Sequence, residues 1–523
     1  MEVKVKDMKK VFLGIELGST RIKSVLTDEN AEVIASGSYE WENELIDGLW
    51  SYTLENVETG LQASYKDLAS DYKKKYGEDL TKISAIGISA MMHGYLAFDE
   101  NDNLLAPFRT WRNTNTARAA GELTELFRFS VPMRWSVAQY YESVLDGLDH
   151  VKDIAFLTTL AGYVHYKLTG KKVLGINDAS GMFPVSGHDY DEKMLADFNA
   201  LLATKGLDVS FKDLLPTVMV AGENAGTLTE EGAKWLDTEG NLQAGIILCP
   251  PEGDMGTGMI ATNSVLPKTA NVSSGTSANL TVILEKPLKN YYKEIDVIAT
   301  PDGYPAALIH ANNCTTEINE WVGLFGEVVS LFGLNVSKGE LFNKLFSHSL
   351  KSDEKAGEIV SYNFLAGETI ANTEKGAPLV ARAASGEMNL ANFMQSQIYA
   401  AVATLALGMD ILKAEDVAIA SVLAHGGFYK TDFVGQNATS AVLEAPVTVM
   451  QNAAEGGAWG MAMLALYTVS DKNETLAEFL GATFADVKKT VVMADEAELA
   501  KCRSFMKLYR KCLSAEQAAA KAL

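Results

Sequence analysis

The chain has 523 residues, more than one hydrophobic core usually supports, which predicts two domains. Its 47% hydrophobic and 21% charged residues are ordinary for a globular protein. The net charge of −22 disfavours nonspecific binding to nucleic acid or anionic membrane, so we expect neither as a partner. The same charge repels a polyphosphate in bulk, and a nucleotide site therefore requires local N–H donors and a metal ion.

A cytoplasmic location is expected. The charged residues 1–7 are typical of neither a signal peptide nor a membrane anchor, and no apolar run is long enough to span a bilayer. The cysteines show no metal-ligand spacing and are expected to be free thiols in a reducing compartment. They are Cys249, Cys314, Cys502 and Cys512.

Strands and helices alternate in the first half, which predicts α/β layering. Predicted strands cover 11–17, 22–27, 33–35, 83–88 and 245–249. Predicted helices cover 57–76 and 154–168. Each helix ends at a glycine, Gly77 or Gly170, as is typical of a helix C-terminus. The Pro/Gly-rich segment 250–258 then interrupts this rhythm, and a domain boundary near Thr262 is expected, separating 1–262 from 263–523.

The second half repeats the mixture of strands and helices. Predicted elements are a strand over 280–284, a helix over 394–413, a strand over 417–423, a helix over 455–466 and a terminal helix over 495–523. The glycines of the 455–466 helix favour close packing against either a sheet or a nucleotide, and the sequence alone leaves both open.

A turn rich in glycine and hydroxyl groups occurs twice between short β-branched runs. Residues 14–20 read GIELGST, and residues 271–277 read NVSSGTS. Glycine permits close approach of the backbone to a ligand, and hydroxyl and N–H groups can hold phosphate oxygens. One such turn is usually only a turn. Two in equivalent contexts predict a phosphate held by two related half-domains.

Asp254 is the candidate acid/base group. It lies in a predicted glycine-rich turn after the strand 245–249, and α/β proteins place ligand chemistry at the carboxyl ends of strands. Considered in isolation, a Gly-Asp-x-Gly sequence is more typical of an Asx turn.

These motifs together resemble the FGGY family of carbohydrate kinases. The similar segments follow the family's order at 14–23, 86–94, 111–113, 177–181, 253–254, 274–277, 426–427 and 455–466. The resemblance implies an α/β fold of two actin-like ATPase (ribonuclease H-like) domains flanking a deep catalytic cleft. A homodimer is compatible with it.

The resemblance also implies roles for individual residues. Asp254 would be the catalytic base, and ATP would be the phosphoryl donor. Sugar contacts would come from Met92, His93, Trp111, Arg112 and Asp254. Nucleotide and phosphate contacts would come from Gly18, Ser19, Thr20, Lys23, Ser274, Gly275, Thr276, Ser277, Gly426, Gly427 and Phe428. Mg²⁺ would be held by Glu16 and Asp254, largely through water. Without the family context, a histidine such as His93 is more often structural, and Trp111 fills a core as readily as it stacks on a sugar.

Three positions depart from the family pattern. Glu16 replaces the usual aspartate and adds a methylene where hydrated metal should be anchored. The loop around Trp111 lacks the usual Trp-Asn-Asp-x-Arg series, so a sugar-contacting carboxylate is missing or supplied elsewhere. Phe428 follows Gly427 where a small residue is usual, which affects the expected contact with adenosine.

The expected function is ATP-dependent phosphorylation of a primary hydroxyl on a small sugar. Residues 92–94, Met-His-Gly, resemble xylulokinases most and gluconokinases next, which favours a ketopentose such as xylulose over another sugar, polyol or sugar acid. One alternative is an actin-like ATPase switch without a sugar substrate, distinguished by whether sugar stimulates ATP turnover. Another is an inactive sugar-binding relative, which sugar would stabilise without turnover.

Overall fold

The computed structural model describes residues 10–450, 456–470 and 473–523. The chain divides into two compact units. The first unit extends to Val265 and also takes in Val297–Pro305 and the described part of 454–486. The second takes in Leu266–Asp296, the described part of 306–453, and Val487–Leu523.

The strands and helices are numbered in chain order. The strands are β1 (Val11–Leu17), β2 (Arg21–Asp28), β3 (Val33–Glu40), β4 (Glu44–Ile46), β5 (Leu49–Ser51), β6 (Ala85–Ala90), β7 (Leu96–Phe98), β8 (Phe156–Thr158), β9 (Val173–Gly175), β10 (Val185–Ser186), β11 (Asp189–Tyr190), β12 (Thr217–Met219), β13 (Ile247–Leu248), β14 (Glu252–Gly253), β15 (Thr269–Ser274), β16 (Ala278–Ile283), β17 (Asp296–Ala299), β18 (Pro305–Ala311), β19 (Ile359–Tyr362), β20 (Leu379–Arg382), β21 (Ser421–His425), β22 (Val447–Met450) and β23 (Lys489–Val492). The helices are α1 (Leu54–Tyr76), α2 (Ala117–Phe127), α3 (Ser136–Leu145), α4 (Leu160–Thr169), α5 (Ile176–Ser180), α6 (Glu192–Thr204), α7 (Phe211–Leu214), α8 (Glu230–Leu236), α9 (Asp254–Ala261), α10 (Thr316–Leu331), α11 (Lys338–Ser349), α12 (Leu390–Ala414), α13 (Val434–Leu443), α14 (Gly456–Thr468), α15 (Leu476–Thr483) and α16 (Glu496–Ala522).

The two units contain sheets of the same topology. In the first unit the strand order is β13-β6-β1-β2-β3, with β1, β2 and β3 antiparallel in turn and β6 and β13 parallel to β1. In the second unit β18, β16, β15, β21 and β22 follow each other with the same directions. Each order is 3-2-1-4-5 when strands are counted along the chain. The duplication confirms the predicted actin-like, ribonuclease H-like fold and places both hydroxyl-rich turns at the same hairpin of their own unit.

Helix α14 lies directly on the central strand of the first sheet. A Cβ on Gly14 of β1 would lie 2.0 Å from the carbonyl oxygen of Ala458, so only glycine permits this approach. On the other side of the helix, a Cβ on Gly460 would lie 2.4 Å from the carbonyl oxygen of Thr257 in α9. The small residues of this helix therefore serve close packing against a sheet and a helix.

The sequence predicts one domain boundary near Thr262, with all of 263–523 in the second domain. The structure instead groups the described part of 454–486 with the first unit, because α14 packs on β1 and α9. Glu455, the first residue of the predicted 455–466 helix, lies outside the described residues.

Several predicted elements are confirmed with shifted bounds. The β1 strand, the α1 helix with its left-handed Gly77 cap, and the terminal α16 helix occur where expected. The predicted helix over 154–168 is wrong at its beginning: residues 156–158 form β8, which pairs with β7, and the helix starts after Thr159. The Thr159 side chain accepts from the N–H of Gly162 and caps α4.

Helix α12 forms much of the core of the second unit. By length and composition it is the one helix in the described parts of the chain that is long and apolar enough to cross a membrane. Most of its residues are buried, and a Cβ on Gly408 would lie 2.5 Å from Cγ2 of Ile309 in β18. Its apolar character is explained by this burial against the sheet.

Candidate active site

The turn between β1 and β2 is held by aromatic side chains. Trp41 Nε1 donates to the carbonyl of Gly18 at 2.7 Å, and the Tyr52 hydroxyl donates to the carbonyl of Ser19 at 2.5 Å. The two rings stack with centroids 4.2 Å apart. A trans peptide directs its C=O and N–H to opposite sides, so the N–H groups of Ser19 and Thr20 point away from these rings. Such adjacent N–H groups suit an anion.

The corresponding turn in the second unit is built in the same way from different partners. The carbonyl of Gly275 accepts from the Thr315 hydroxyl at 2.7 Å, and the carbonyl of Thr276 accepts from the Cys314 N–H at 2.9 Å. The N–H groups of Thr276 and Ser277 consequently point away from that contact. Each unit thus presents two consecutive amides at an equivalent hairpin.

Gly426 is required by this second turn. Its φ is 109°, and a Cβ there would lie 2.2 Å from the carbonyl oxygen of Ser274. Phe428 is 2% exposed and packs on Phe346 with ring centroids 6.1 Å apart. Its ring is therefore a core element.

Asp254 is the first residue of α9 rather than part of a turn, and it follows β14, which pairs with the end of β6. Its Oδ1 accepts the main-chain N–H of Met92 at 3.1 Å. Burial raises the pKa of this carboxyl, while N–H groups of Met92 and of its own helix end lower it. The structure thus brings the predicted base and the predicted sugar-binding segment into direct contact.

Glu16 lies on β1 close to this base. Burial and then the charge of Asp254 raise the pKa of Glu16 to about 7, while Lys23 and the N–H of Ala458 lower it. Lys23 is the cross-strand neighbour of Glu16 in β2. A Cβ on Gly457 would lie 2.3 Å from Glu16 Oε1, so glycine at the start of α14 makes room for this longer carboxylate.

Both ring nitrogens of His93 have protein partners. Nδ1 lies 3.2 Å from the carbonyl of Gly181, and Nε2 accepts from Arg134 Nε at 3.1 Å. Burial and then the Arg134 charge lower the pKa of His93 to about 3, so the ring is neutral with its proton on Nδ1. His93 therefore fixes the Arg134 side chain, and its backbone has a left-handed φ of 69°.

Two buried carboxyls behind the site are absent from the sequence predictions. Asp178 accepts the Thr159 hydroxyl at 2.6 Å and the His93 N–H, and burial raises its pKa to about 8. Glu252 accepts the Asp178 N–H at 3.2 Å, and burial and the Asp178 charge raise its pKa well above the usual range. Asp178 thereby supports the left-handed His93 backbone, and Glu252 in turn holds Asp178.

The Trp111 loop is anchored to β5. The Asn113 side chain accepts from the N–H of Trp50 at 2.9 Å and donates to its carbonyl at 2.8 Å. The Arg112 guanidinium lies 4.0 Å from the Trp50 ring centroid. Trp111 is 41% exposed, and its Nε1 donates to Ser19 Oγ at 3.1 Å. Trp111 thus contacts the first turn, whereas Arg112 is engaged at the neighbouring hairpin.

The structure therefore groups most predicted residues of the first unit. Glu16, Lys23, Met92, His93 and Asp254 lie in one group of neighbouring residues, and Trp111 reaches Ser19. Sequence reasoning missed Arg134, Asp178, Glu252 and the aromatic supports of the turn. The similarity of residues 177–181 to the family was the one signal for Asp178, and it assigned no function to that residue.

The duplicated fold, the paired hydroxyl-rich turns and the carboxylates beside the first turn define a phosphotransferase of the actin-like class. The chain belongs to the FGGY family of carbohydrate kinases: the family's N-terminal domain matches residues 11–241 and its C-terminal domain matches residues 270–469. This confirms the resemblance and establishes a carbohydrate kinase.

Individual relatives carry different substrate names. The xylulose kinase of Haemophilus influenzae is 23% identical over 496 residues, covering 91% of this chain and 93% of that protein. The ligand-bound xylulose kinase of Lactobacillus acidophilus superposes with a TM-score of 0.79 at 17% identity, covering 98% of this chain and 99% of that one. Gluconate kinase from the same organism gives 0.79 at 17% identity, with 98% and 100% coverage. The structural likenesses show the fold and do not distinguish the two sugars.

Proposed function

We propose that this carbohydrate kinase transfers the γ-phosphoryl group of ATP to a primary hydroxyl of a ketopentose, with D-xylulose as the preferred acceptor. The observation that carries the proposal is the Met92–Asp254 hydrogen bond, because it joins the Met-His-Gly segment that resembles xylulokinases to the candidate base. The names of the H. influenzae and L. acidophilus relatives support the choice of sugar.

Asp254 would orient the acceptor hydroxyl and take its proton. Its partly exposed carboxylate has one oxygen engaged by Met92, which fixes the orientation of the group. Phosphoryl transfer has a loose transition state, and proton removal comes late, so a carboxylate is a sufficient base. Burial that raises the pKa makes it a better proton acceptor than a solvated aspartate.

The nucleotide phosphates would be bound by main-chain amides. Ser19 and Thr20 supply two in the first unit, and Thr276 and Ser277 supply two in the second. Lys23 adds a local positive charge near Glu16, in a chain whose net charge of −22 repels a polyphosphate in bulk.

Glu16 and Asp254 fit a hydrated Mg²⁺. Both residues are partly exposed, and burial and then the charge of Asp254 raise the pKa of Glu16, so a divalent cation would stabilise the ionised pair. Across the described residues, no cluster of three or more His, Cys, Asp or Glu side chains is placed to hold a metal. With two carboxylates as its protein ligands, the proposed ion would be held largely by water and substrate oxygens. When bound, Mg²⁺ would neutralise phosphate charge.

The test is a coupled assay over ketopentoses, aldoses, polyols and sugar acids, with D-gluconate included because of the gluconate kinase likeness. D-Xylulose or a related ketopentose is expected to have the highest kcat/KM. A far higher kcat/KM for a sugar acid or polyol would show that the proposed acceptor is wrong, and the assignment as a carbohydrate kinase would still hold. The D254N variant, purified in parallel, reports contaminating kinase activity.

We also place the enzyme in the cytoplasm, because Cys249, Cys314 and Cys502 are buried as free thiols.

A further inference from the structure

We propose that Trp111 is a positioning residue that couples occupancy of the sugar site to the phosphate-binding turn through its hydrogen bond to Ser19. The inference rests on the proposed function and assigns a specific contact by which sugar would strengthen nucleotide binding. The carrying observation is that one side chain of the predicted sugar loop donates to one hydroxyl of the predicted phosphate turn, both in the first unit.

The Trp111 end of this connection is fixed. Thr110 N–H donates to the Trp50 carbonyl at 3.1 Å, and the Asn113 side chain bonds the N–H and carbonyl of the same residue. Residues on both sides of Trp111 are therefore tied to β5. The indole is left 41% exposed at the apex, with its remaining freedom largely in its own rotamer.

The same loop is joined to the sugar-binding strand end. Tyr95 N–H donates to the Arg109 carbonyl at 2.9 Å, and Arg109 N–H donates back to Tyr95 at 3.2 Å. Gly94 lies against this pair, because a Cβ there would lie 3.1 Å from the Arg109 carbonyl oxygen. A sugar seated at Met92 and His93 would thus sit beside a loop that carries an exposed aromatic face.

On the turn, the Trp111 indole donates to the Ser19 hydroxyl, so the indole can orient this hydroxyl. The Ser19 carbonyl is held by Tyr52 and the Gly18 carbonyl by Trp41, which fixes the main chain. A hydroxyl has one O–H donor and two acceptor lone pairs. When its oxygen accepts the indole N–H, the O–H proton is directed elsewhere and becomes available to a phosphate oxygen.

A sugar whose carbon face packs on Trp111 restrains the ring and therefore the N–H···Oγ bond. The restrained hydroxyl then binds phosphate at a smaller entropic cost. By linkage, the same factor by which sugar tightens ATP binding must describe how ATP tightens sugar binding.

The test measures binding of a nonhydrolysable ATP analogue with Mg²⁺, in the absence and presence of saturating D-xylulose. The wild type is expected to bind the analogue more tightly with sugar, by at least about fivefold. W111F keeps an aromatic face but lacks the N–H, and S19A removes the acceptor. Each is expected to reduce the sugar-induced tightening by at least about twofold, and the double variant is expected to lose no more than the larger single effect.

W235F is the matched control. Trp235 is a partly buried tryptophan of α8 whose indole N–H has no hydrogen-bond partner among the described residues. Wild-type coupling in W235F with reduced coupling in W111F supports the proposal. Wild-type coupling in W111F, absence of coupling in the wild type, or strictly additive losses in the double variant would overturn it. Failure of every sugar in the substrate panel would instead reject the proposed function.

Discussion

The main-chain N–H of Met92 donates a 3.1 Å hydrogen bond to Oδ1 of Asp254, across 162 positions of sequence. Met92 follows β6 and Asp254 begins α9 directly after β14, which pairs with β6. Sheet pairing therefore brings the two segments together. The contact also excludes a larger residue at position 253, where a Cβ would lie 2.1 Å from Met92 Cγ.

Asp254→Asn tests the base. The amide keeps the size of the carboxylate and an oxygen that can accept from Met92, but it cannot take the hydroxyl proton. Turnover is expected to fall at least ~100-fold, with affinity for an ATP analogue nearly unchanged. Steady-state kinetics and calorimetric titration measure the two effects. Asp197→Asn, at a half-buried position of α6 where the carboxylate pairs with Lys193, is the control. A folded D254N with near-normal turnover would remove Asp254 from the role.

His93 and Arg134 are expected to act as one unit. Because Arg134 Nε donates to His93 Nε2, His93→Ala should remove this constraint on the Arg134 side chain and weaken sugar binding by about 1–3 kcal/mol. Arg134→Ala should produce a similar loss, and the double variant should lose little more than the worse single variant. The measurement is sugar-dependent against sugar-independent ATP consumption. Additive losses, or an equal loss in both kinds of consumption, would show that His93 acts structurally and not through Arg134.

Local patterns were sufficient to predict the elements that frame the site. Short apolar, β-branched runs on both sides of a Gly-Ser-Thr turn predict the β1–β2 hairpin, and the structure places β1 at Val11–Leu17. The helix at 154–168 failed because apolar spacing does not distinguish a short buried strand from a helical turn. The pairing of Phe98 with Phe156, 58 positions apart, decided between them.

Long-range partners could not be predicted because no local pattern encodes them. The N–H of Ala458 reaches Glu16 because α14 lies on β1 over Gly14, and the two residues are far apart in sequence. The Asp178–Glu252 contact likewise depends on where α5 meets β14. Family similarity suggested roles for individual side chains, and only the structure shows which of these side chains contact each other.

Asp178 should make the free energy of unfolding decrease as pH rises. Burial raises its folded pKa to about 8, above the value of about 3.9 expected for an unfolded aspartate. The folded state thus retains a proton that the unfolded chain releases. The stabilisation is complete below the unfolded pKa and is lost as pH rises through about 8.

Asp178→Asn cannot ionise, so its free energy of unfolding should fall less between pH 5 and pH 9 than that of the wild type. Some dependence on pH should remain, because the pKa of Glu252 is also raised by burial. Urea unfolding at several pH values gives the slopes, with Asp197→Asn, at a half-buried position of α6, as the control. Identical slopes for D178N and wild type would show that Asp178 does not hold a proton in the folded state.

The last prediction concerns Glu16, where the family pattern has aspartate. Glu16 has two constraints that suit its extra methylene: the Ala458 N–H bonds its carboxylate, and Gly457 leaves space beside Oε1. Glu16→Asp withdraws the carboxylate oxygens by about 1 Å or slightly more, and a displacement of this size lowers the rate of a reaction that depends on precise positioning. It should therefore impair activity and raise the Mg²⁺ concentration needed. Glu16→Gln should be worse, because it removes the charge and keeps the length.

Gly457→Ala tests the same carboxylate without changing it. The added Cβ would lie 2.3 Å from Glu16 Oε1 and must displace it, so the Mg²⁺ dependence should shift in the same direction as in Glu16→Asp. Gly481→Ala is the matched control, because a Cβ at that helical position meets nothing within 4 Å. Turnover against Mg²⁺ concentration is the measurement for all variants. If G457A and both Glu16 variants keep the wild-type Mg²⁺ dependence, Glu16 is a structural residue, and Asp254 with substrate oxygens must hold the ion.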